Sequence, residues 1–224
     1  MASHLDLEEQ EQIAQLKHFW AQYGNLITWV LIVVLGAFAA WNGWSYWQRG
    51  QAVKASAMYD EMARAASSGD ANRVRQALSD IQGGFSGSAF ADQAALLAAK
   101  TLADGGQEAA ARAALQWVAD QSADDAYRAL ARLRLAGLDI QAQAYEQALQ
   151  TLKAPVPKAF EALVSDRRGD VYMAQGKPQE ARQQYESAWR SFAAQSDYRN
   201  LVEVKLAALG VDVNRLGVSV EAVR

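Results

Sequence analysis

The most apolar part of the chain lies near its amino end. No Asp, Glu, Lys or Arg occurs from Phe19 to Gln48, and residues 26–41 are almost wholly apolar. Crossing a hydrocarbon core of about 30 Å takes roughly 20 residues of helix, because a helix satisfies its own backbone hydrogen bonds where water is absent. Aromatic side chains gather at both ends of the run, where their rings suit the depth of the lipid headgroups. The pattern predicts a helix spanning a lipid bilayer over residues 25–47, preceded by an acidic tail at 1–24.

Two other interpretations of this run remain open. Residues 37–39 imitate the cleavage site of a signal peptide, but the amino end is acidic where a signal peptide is basic and short. The run also suits the core helix of a soluble protein, but nothing downstream offers an equally apolar partner. Basic residues normally mark the cytoplasmic side, and they slightly favour the carboxyl side, with Lys17 before the run and Arg49, Lys54 and Arg64 after it. A bias this small does not fix the orientation.

The rest of the chain alternates between helical patterns and short breaks. It is rich in Ala, Gln, Leu, Arg and Glu, all of which favour helices, and prolines occur only at positions 155, 157 and 178. We predict four helix pairs and a closing helix. Their ranges are 51–67 with 71–81, 90–103 with 108–119, 124–137 with 144–152, 159–175 with 179–194, and 198–209.

The breaks inside the pairs recur at a regular interval. Gly69, Gly106, Gln143 and Gly176 align at spacings of 37, 37 and 33 residues. A period in the mid-thirties made of two helices is typical of a helical solenoid, and of tetratricopeptide repeats (TPR) in particular. We therefore predict an all-α fold with a TPR-like α-solenoid over residues 48–210 and an extension at 211–224. An irregular helical bundle with the same breaks is the alternative.

The fourth pair carries the clearest repeat motif. Small residues are expected where its two helices approach closely, aromatic residues between neighbouring turns, and a glycine where the chain reverses. The residues at these positions are Gly169, Tyr172, Gly176, Ala181, Tyr185 and Ala188. Pro178 then suits the first turn of the second helix.

A binding surface is expected on the first helices of the pairs, which line the concave side of a TPR solenoid. By position, the candidate partner-binding residues are Leu130, Leu133, Gly137, Leu163, Asp166, Asp170 and Met173. An equally good interpretation is that the apolar members of this set pack between repeats.

Catalytic and metal-binding chemistry finds little support in the sequence. Cysteine is absent, which excludes disulfides, thiolate metal sites and a Cys nucleophile. His4 and His18 both precede the apolar run, so the repeats lack the commonest general base and metal ligand. The glycine-rich stretch at 83–88 lacks the Gly-Lys-Ser/Thr ending of a phosphate-binding loop, and we interpret it as a flexible connection. Asp124 and Asp125 are predicted to cap a helix rather than to form a catalytic pair. We expect no enzyme activity, no cofactor and no metal.

Charge argues against a nucleic-acid partner. The chain has 22 basic and 25 acidic residues, and the imbalance comes from the acidic amino tail. The region after the apolar run is formally neutral, whereas nucleic-acid-binding domains carry a basic excess.

The order of segments resembles a known family. An acidic tail, one membrane span and four degenerate helix pairs, with Arg168-Gly169-Asp170 opening the clearest repeat, make the chain similar to the ancillary SecYEG translocon subunits of Gram-negative inner membranes. The resemblance extends to about Gly210 and implies a cytoplasmic amino end and a periplasmic repeat domain. It also implies association with the SecYEG translocon and with a membrane-anchored periplasmic prolyl isomerase, and assistance to newly exported client proteins.

Three hypotheses of function follow. The first is a non-enzymatic, membrane-tethered binding module that assists exported proteins as they leave the translocon. The second is an assembly scaffold for another envelope complex, such as an outer-membrane or cell-division machine. The third is an enzyme that uses carboxylates alone, for which no nucleophile–base pair or metal constellation is visible.

Overall fold

The protein is helical throughout the part that the computed structural model describes, residues 7–214 and 216, which contains no strand. The all-α prediction is confirmed. The helices in this part are α1 (Leu7–Ser67), α2 (Ala71–Phe85), α3 (Ala89–Asp104), α4 (Glu108–Gln121), α5 (Asp125–Gln141), α6 (Tyr145–Thr151), α7 (Lys158–Ala174), α8 (Pro178–Ser191) and α9 (Asp197–Ala208). The chain divides into two compact units, Met1–Val53 and Lys54–Arg224.

The apolar run lies on α1 with its side chains exposed. Leu35 is 63% and Trp41 is 71% exposed, and only 6% of the most apolar stretch is buried. Within the described residues this is the one helix long and apolar enough to cross a membrane. So large an exposed apolar surface does not suit a core helix, but it suits a helix surrounded by lipid.

The boundary between the apolar run and the repeats is not a helix boundary. A separate first repeat helix was expected at 51–67, but α1 continues unbroken to Ser67. The intervening Gln48, Arg49 and Gly50 include no proline, and an isolated glycine is tolerated inside a helix. The change in composition therefore marks a change of surroundings rather than a break in the backbone.

The glycine-rich stretch is also more helical than its composition predicts. Gly83 and Gly84 belong to the last turn of α2, where a flexible connection was expected. The connection that remains is short, and Ser88 ends it by accepting a hydrogen bond from the Ala91 N–H at 3.3 Å. Ile81, which is fully buried, helps to hold this end of α2 in place against its low helix propensity.

The breaks inside the pairs share one turn geometry, as their alignment predicts. Gly69, Gly106, Gln143 and Gly176 all have positive φ, between 58° and 73°. In the last of these turns, the Gly176 N–H donates to the Met173 carbonyl at 3.0 Å and the next N–H donates to a carbonyl five residues earlier. This Schellman pattern occurs in all four turns and satisfies the end of each first helix. The four predicted breaks are confirmed.

A fifth turn of the same kind follows α9. Gly210 has φ 75° and its N–H donates to the Ala207 carbonyl at 2.9 Å. Beyond it, Val211 and Val213 are each 6% exposed and pack in one apolar cluster with α8 and α9. The closing helix thus ends like the first helix of a further pair, and the core continues past residue 210.

The core of the repeats consists of three apolar clusters. The first joins the end of α1 to α2, α3, α4 and α5, and alanine is its commonest residue. The second lies between α5, α6 and α7 and includes Leu133 and Val171. The third joins α8 and α9 around Tyr185 and Leu206. Consecutive helix pairs therefore bury their apolar faces against each other, as in a solenoid.

Candidate functional site

The first helices of the pairs contact one another in chain order. These helices are the end of α1, α3, α5, α7 and α9, and the surface they share is called here the first-helix face. The Tyr59 and Phe90 rings of α1 and α3 lie 6.1 Å apart. Gln93 of α3 donates a hydrogen bond to the Tyr127 hydroxyl of α5 at 2.8 Å. Side chains from several repeats thus adjoin on one surface.

A buried ionic cluster joins α7, α8 and α9. The Lys205 Nζ donates to Oδ1 of Asp166 and to Oδ1 of Asp170, both at 2.7 Å. The Tyr198 hydroxyl donates to Oδ2 of Asp166 at 3.1 Å, and the Tyr185 hydroxyl donates to Oδ1 of Asp170 at 2.8 Å. The Asp166 side chain is only 1% exposed. These five residues, named here the α7–α9 cluster, fasten the closing helix to the fourth pair.

The ionisation states of the α7–α9 cluster follow from its burial. Burial raises the pKa of Asp166, while the hydrogen bonds from Lys205 and Tyr198 oppose that rise. Burial, followed by the nearby Asp166 charge, raises the pKa of Tyr198 to about 12. Burial and then Asp170 raise the pKa of Tyr185 as well. Both phenols therefore stay protonated at neutral pH and can serve as donors.

Tyr185 also explains the glycine of the repeat motif. A Cβ added to Gly169 would overlap the Tyr185 ring. Counted from the turn residue, the equivalent positions of the earlier pairs hold Met62 with Leu78, Ala99 with Leu115, and Ala136 with Leu152. At these two positions, the fourth pair combines the largest second-helix residue, Tyr185, with the smallest first-helix residue, Gly169.

The other residues of the repeat motif lie at the junction of α7 and α8. Tyr172 is half-buried beside the apolar cluster of α8 and α9, and Gly176 is exposed in its turn. Pro178 is the first residue of α8. Ala181, Tyr185 and Ala188 are buried.

The seven residues predicted to bind a partner differ in how accessible they are. Met173 is 42% exposed, whereas Leu133 is 7% exposed in the cluster between α5 and α7. Asp166 is buried in the α7–α9 cluster. The half-buried members are Leu130, Gly137, Leu163 and Asp170. Among these seven, Met173 offers a partner the most surface.

A pocket between α3, α4 and α5 was not expected from the sequence. Its volume is about 300 Å³. Arg134 contributes a guanidinium whose Nη1 donates to the Leu96 carbonyl at 2.9 Å. Burial lowers the pKa of Arg134. In the sequence, Arg134 stands between Leu133 and Leu135, which are buried, and the structure leaves Arg134 itself exposed, so its place beside a pocket had no signal in the pattern.

Clusters suited to metal binding are not found in the described part of the chain. No group of three or more His, Cys, Asp or Glu side chains there is placed to hold a metal ion. Asp124 instead caps α5 as predicted, accepting a hydrogen bond from the Ala126 N–H at 2.7 Å. Asp125 pairs with Arg128.

Comparison with known proteins covers both the apolar helix and the repeats. The tetratricopeptide repeat-like domain family matches residues 17–211. The chain is 32% identical over 213 residues to the ancillary SecYEG translocon subunit of Neisseria gonorrhoeae. This match covers 93% of this chain and 100% of that protein. The chain belongs to the ancillary SecYEG translocon subunit family. The resemblance inferred from the order of segments is therefore confirmed.

Other members of the ancillary SecYEG translocon subunit family match over similar lengths. The protein of Haemophilus influenzae is 29% identical over 83% of this chain and 90% of its own length. The Escherichia coli protein is 27% identical over 82% of this chain and 88% of its own length. No solved structure matches the chain.

Proposed function

We propose that this family member is a membrane-tethered TPR-like interaction protein that associates with the SecYEG translocon. Together with a membrane-anchored periplasmic prolyl isomerase, it assists exported proteins as they leave the translocon. The supporting observation is the match to the whole length of the Neisseria gonorrhoeae translocon subunit, since it includes the apolar helix as well as the repeats.

The proposed topology places the repeats where exported chains emerge. The tail at 1–24 lies in the cytoplasm, residues 25–47 span the inner membrane, and the repeat domain at 48–210 lies in the periplasm with the extension at 211–224. The exposed apolar side chains of α1 support the span. The orientation is taken from the family, because the flanking charges lean weakly the other way.

Tethering lets a weak binding surface act. A domain held beside the translocon meets an emerging chain at a high effective concentration, so modest affinity is enough for repeated capture. The first-helix face is the proposed surface for clients or for the prolyl isomerase, and Met173 is its most accessible predicted residue. Methionine suits varied partners, because its unbranched side chain adapts to different shapes.

Site-specific photocrosslinking in intact membranes tests this function. A photoreactive residue replaces Trp44 at the apolar helix, Met173 on the first-helix face, or Gln183, which is exposed on α8 and serves as the control. We expect position 44 to capture a translocon subunit and position 173 to capture exported polypeptides or the prolyl isomerase. We expect position 183 to capture neither above background.

The same experiment separates the translocon function from an assembly scaffold. Capture of no translocon subunit at position 44, together with capture of an outer-membrane or cell-division component at position 173, would contradict the proposal in favour of the scaffold.

A further inference from the structure

Arg134 is an exposed cation without a counter-ion, and it is covered only where it contacts α3. Its guanidinium hydrogen bond goes to the neutral Leu96 carbonyl, and that bond is partly buried. Among the described residues, no carboxylate forms an ion pair with it. By contrast, Arg112 pairs with Asp139 at 2.5 Å, and Lys205 holds two carboxylates at 2.7 Å. Arg112 and Lys205 are thus paired, whereas Arg134 donates to a backbone carbonyl instead. The same is true of Arg132, Arg168 and Arg199, but of these four arginines only Arg134 lines the pocket between α3, α4 and α5.

An unpaired cation of this kind can bind an anionic partner. A guanidinium loses hydration when it is partly covered, and a single neutral carbonyl returns only part of that loss. Burial alone lowers the pKa of Arg134, with no acidic neighbour acting in the opposite direction. An incoming carboxylate would find a donor that is already positioned and partly dehydrated.

The surroundings of Arg134 form a small pocket with apolar walls. Its volume of about 300 Å³ lies at the lower end of ligand pockets, which suits one or two side chains rather than a folded surface. Lys100 and Asp104 also line it and pair with each other at 2.8 Å. Their charges offset, so the positive charge of Arg134 dominates. The apolar wall consists of Ala99, Ala103, Leu115 and Leu138.

We propose that this pocket anchors an aspartate or glutamate side chain of an extended client polypeptide, with an apolar neighbour of that acid against the alanine and leucine wall. Arg134 binds the carboxylate, because its planar fork of donors matches the two carboxylate oxygens. This inference rests on the proposed function as a polypeptide-binding protein, and it names the chemical class that the first-helix face selects.

Gly137 gives the bound segment a path away from the pocket. It lies three residues after Arg134 on α5, which places both residues on one side of the helix. Without a side chain, Gly137 leaves the backbone of α5 open at this point. The nearest group to a Cβ built there is Arg167 Nη1 of α7, at 3.9 Å. A segment anchored at Arg134 can therefore pass over α5 toward α7.

Binding of short fluorescent peptides to the full chain in lipid nanodiscs tests the inference. The first probe is a Leu-, Ala- and Ser-containing peptide with one central Glu and both ends blocked. Its twin carries Gln in place of Glu. A third probe carries Gln and a free terminal carboxylate. We expect the Glu peptide to bind about tenfold more tightly than its twin, the size of one charge-assisted interaction.

Variants of Arg134 assign that difference to the pocket. With Arg134→Gln, we expect the Glu and Gln peptides to bind equally, each at the affinity of the Gln peptide for the unaltered protein. With Arg134→Lys, which keeps the charge but loses the fork, we expect an intermediate preference. Arg75→Gln is the matched control, because Arg75 is an exposed cation on α2 that donates a hydrogen bond to Asn72 and does not line the pocket. It should keep the full preference. Thermal unfolding followed by circular dichroism verifies that each variant is folded.

The outcomes separate this inference from the proposed function. Binding of all three peptides without preference would contradict the acidic anchor and leave polypeptide binding intact. A preference for Glu that survives both Arg134 variants would also contradict it. Tight binding of the third probe alone would show that the pocket accepts a chain terminus instead of an acidic side chain. Failure of every peptide to bind would contradict the proposed function as well.

Discussion

Two regions of the repeat domain, α3–α5 and α7–α9, bury their carboxylates differently. Asp139 of α5 and Asp166 of α7 are both 1% exposed. Both oxygens of Asp166 are hydrogen-bonded, whereas Oδ2 of Asp139 has no partner, and neither has Oδ1 of Asp92 on α3. The α7–α9 cluster is polar and satisfied, although Gln175 Oε1 at the end of α7 and Trp189 Nε1 on α8 also have no partner. The α3–α5 region relies on alanine and leucine contacts and leaves its two buried carboxylates only partly hydrogen-bonded.

This difference suggests a division of roles along the solenoid. A satisfied network has no capacity left for a ligand, and it fixes the position of the closing helix. An arginine without a counter-ion beside an open pocket gains from an anionic partner. We therefore assign stability to the α7–α9 cluster and recognition to the α3–α5 pocket, and each assignment can be tested by substitution.

The largest effect is expected from Lys205→Met. It leaves Asp166 and Asp170 without their shared cation, and removing one partner of a buried pair costs about 3 kcal/mol. Urea unfolding of the full chain in detergent micelles measures the loss. Lys100→Met is the control, since the Lys100 and Asp104 side chains are 71% and 66% exposed and such a pair is worth less than about 1 kcal/mol. Equal small losses in both variants would contradict the structural role of the cluster.

A somewhat smaller loss is expected from Gly169→Ala. The added methyl group overlaps the Tyr185 ring and displaces its hydroxyl from Asp170, which costs about 2 kcal/mol in unfolding free energy. Gly137→Ala is the matched control on α5. Its Cβ meets Arg167 at an ordinary 3.9 Å, so the higher helix propensity of alanine should leave the protein as stable or slightly more stable.

A second substitution checks the steric cause. Adding Tyr185→Leu to Gly169→Ala recreates the alanine and leucine found at Ala136 and Leu152 of the preceding pair. The double variant should lose less stability than the sum of the two single variants in the same urea assay. Simple additivity would show that the ring is not what Gly169 accommodates.

A gain of about 0.5 kcal/mol is expected from Gln143→Gly. Gln143 has φ 58°, and it is the one non-glycine with positive φ among the described residues. A left-handed conformation costs a residue with a Cβ about 1 kcal/mol, and the extra freedom of glycine in the unfolded chain offsets part of the gain. The urea midpoint should rise. Gly106→Gln, the reverse change in the preceding turn, should lower it.

The smallest expected effect is a pH dependence at Asp92. Burial raises its pKa above 3.8, the bond from Ser122 opposes the rise, and Asp124 adds to it. Because the folded state holds this proton more tightly, the stabilisation is fully present below pH 3.8 and is lost as pH rises through the folded pKa. Compared with Asp92→Asn, the protein should lose stability between about pH 4 and pH 7. A gain in stability relative to Asp92→Asn as the pH rises over this range would contradict the burial of this carboxylate.

The turns could be predicted because their signal is local. A left-handed residue at the end of a helix favours glycine, and a constant spacing then identified even Gln143, where glycine is missing. Gly210 was overlooked because no further repeat motif follows it. The unbroken α1 was divided at a change of composition, although the residues at that point include no proline and only one glycine, Gly50.

The candidate site was harder to predict because its contacts are distant in sequence. Lys205 and Asp166 are 39 positions apart, and Arg134 and Leu96 are 38 positions apart. Periodicity identifies which helix face a residue occupies, but it does not identify the side chain that faces it across a repeat. An aspartate on the first-helix face thus suggested a partner-binding residue, although Asp166 is enclosed by the α7–α9 cluster.

Protease protection of intact inner membranes tests the central claim most directly, namely that α1 anchors a repeat domain facing the periplasm. With protease added from the periplasmic side, the account predicts cleavage at the turn between α2 and α3, around Gly87, or in the carboxyl tail, while the amino tail remains intact. Permeabilised membranes serve as the control, since both sides are then accessible. Cleavage of the amino tail alone, with the repeats protected, would contradict the topology and the function that rests on it.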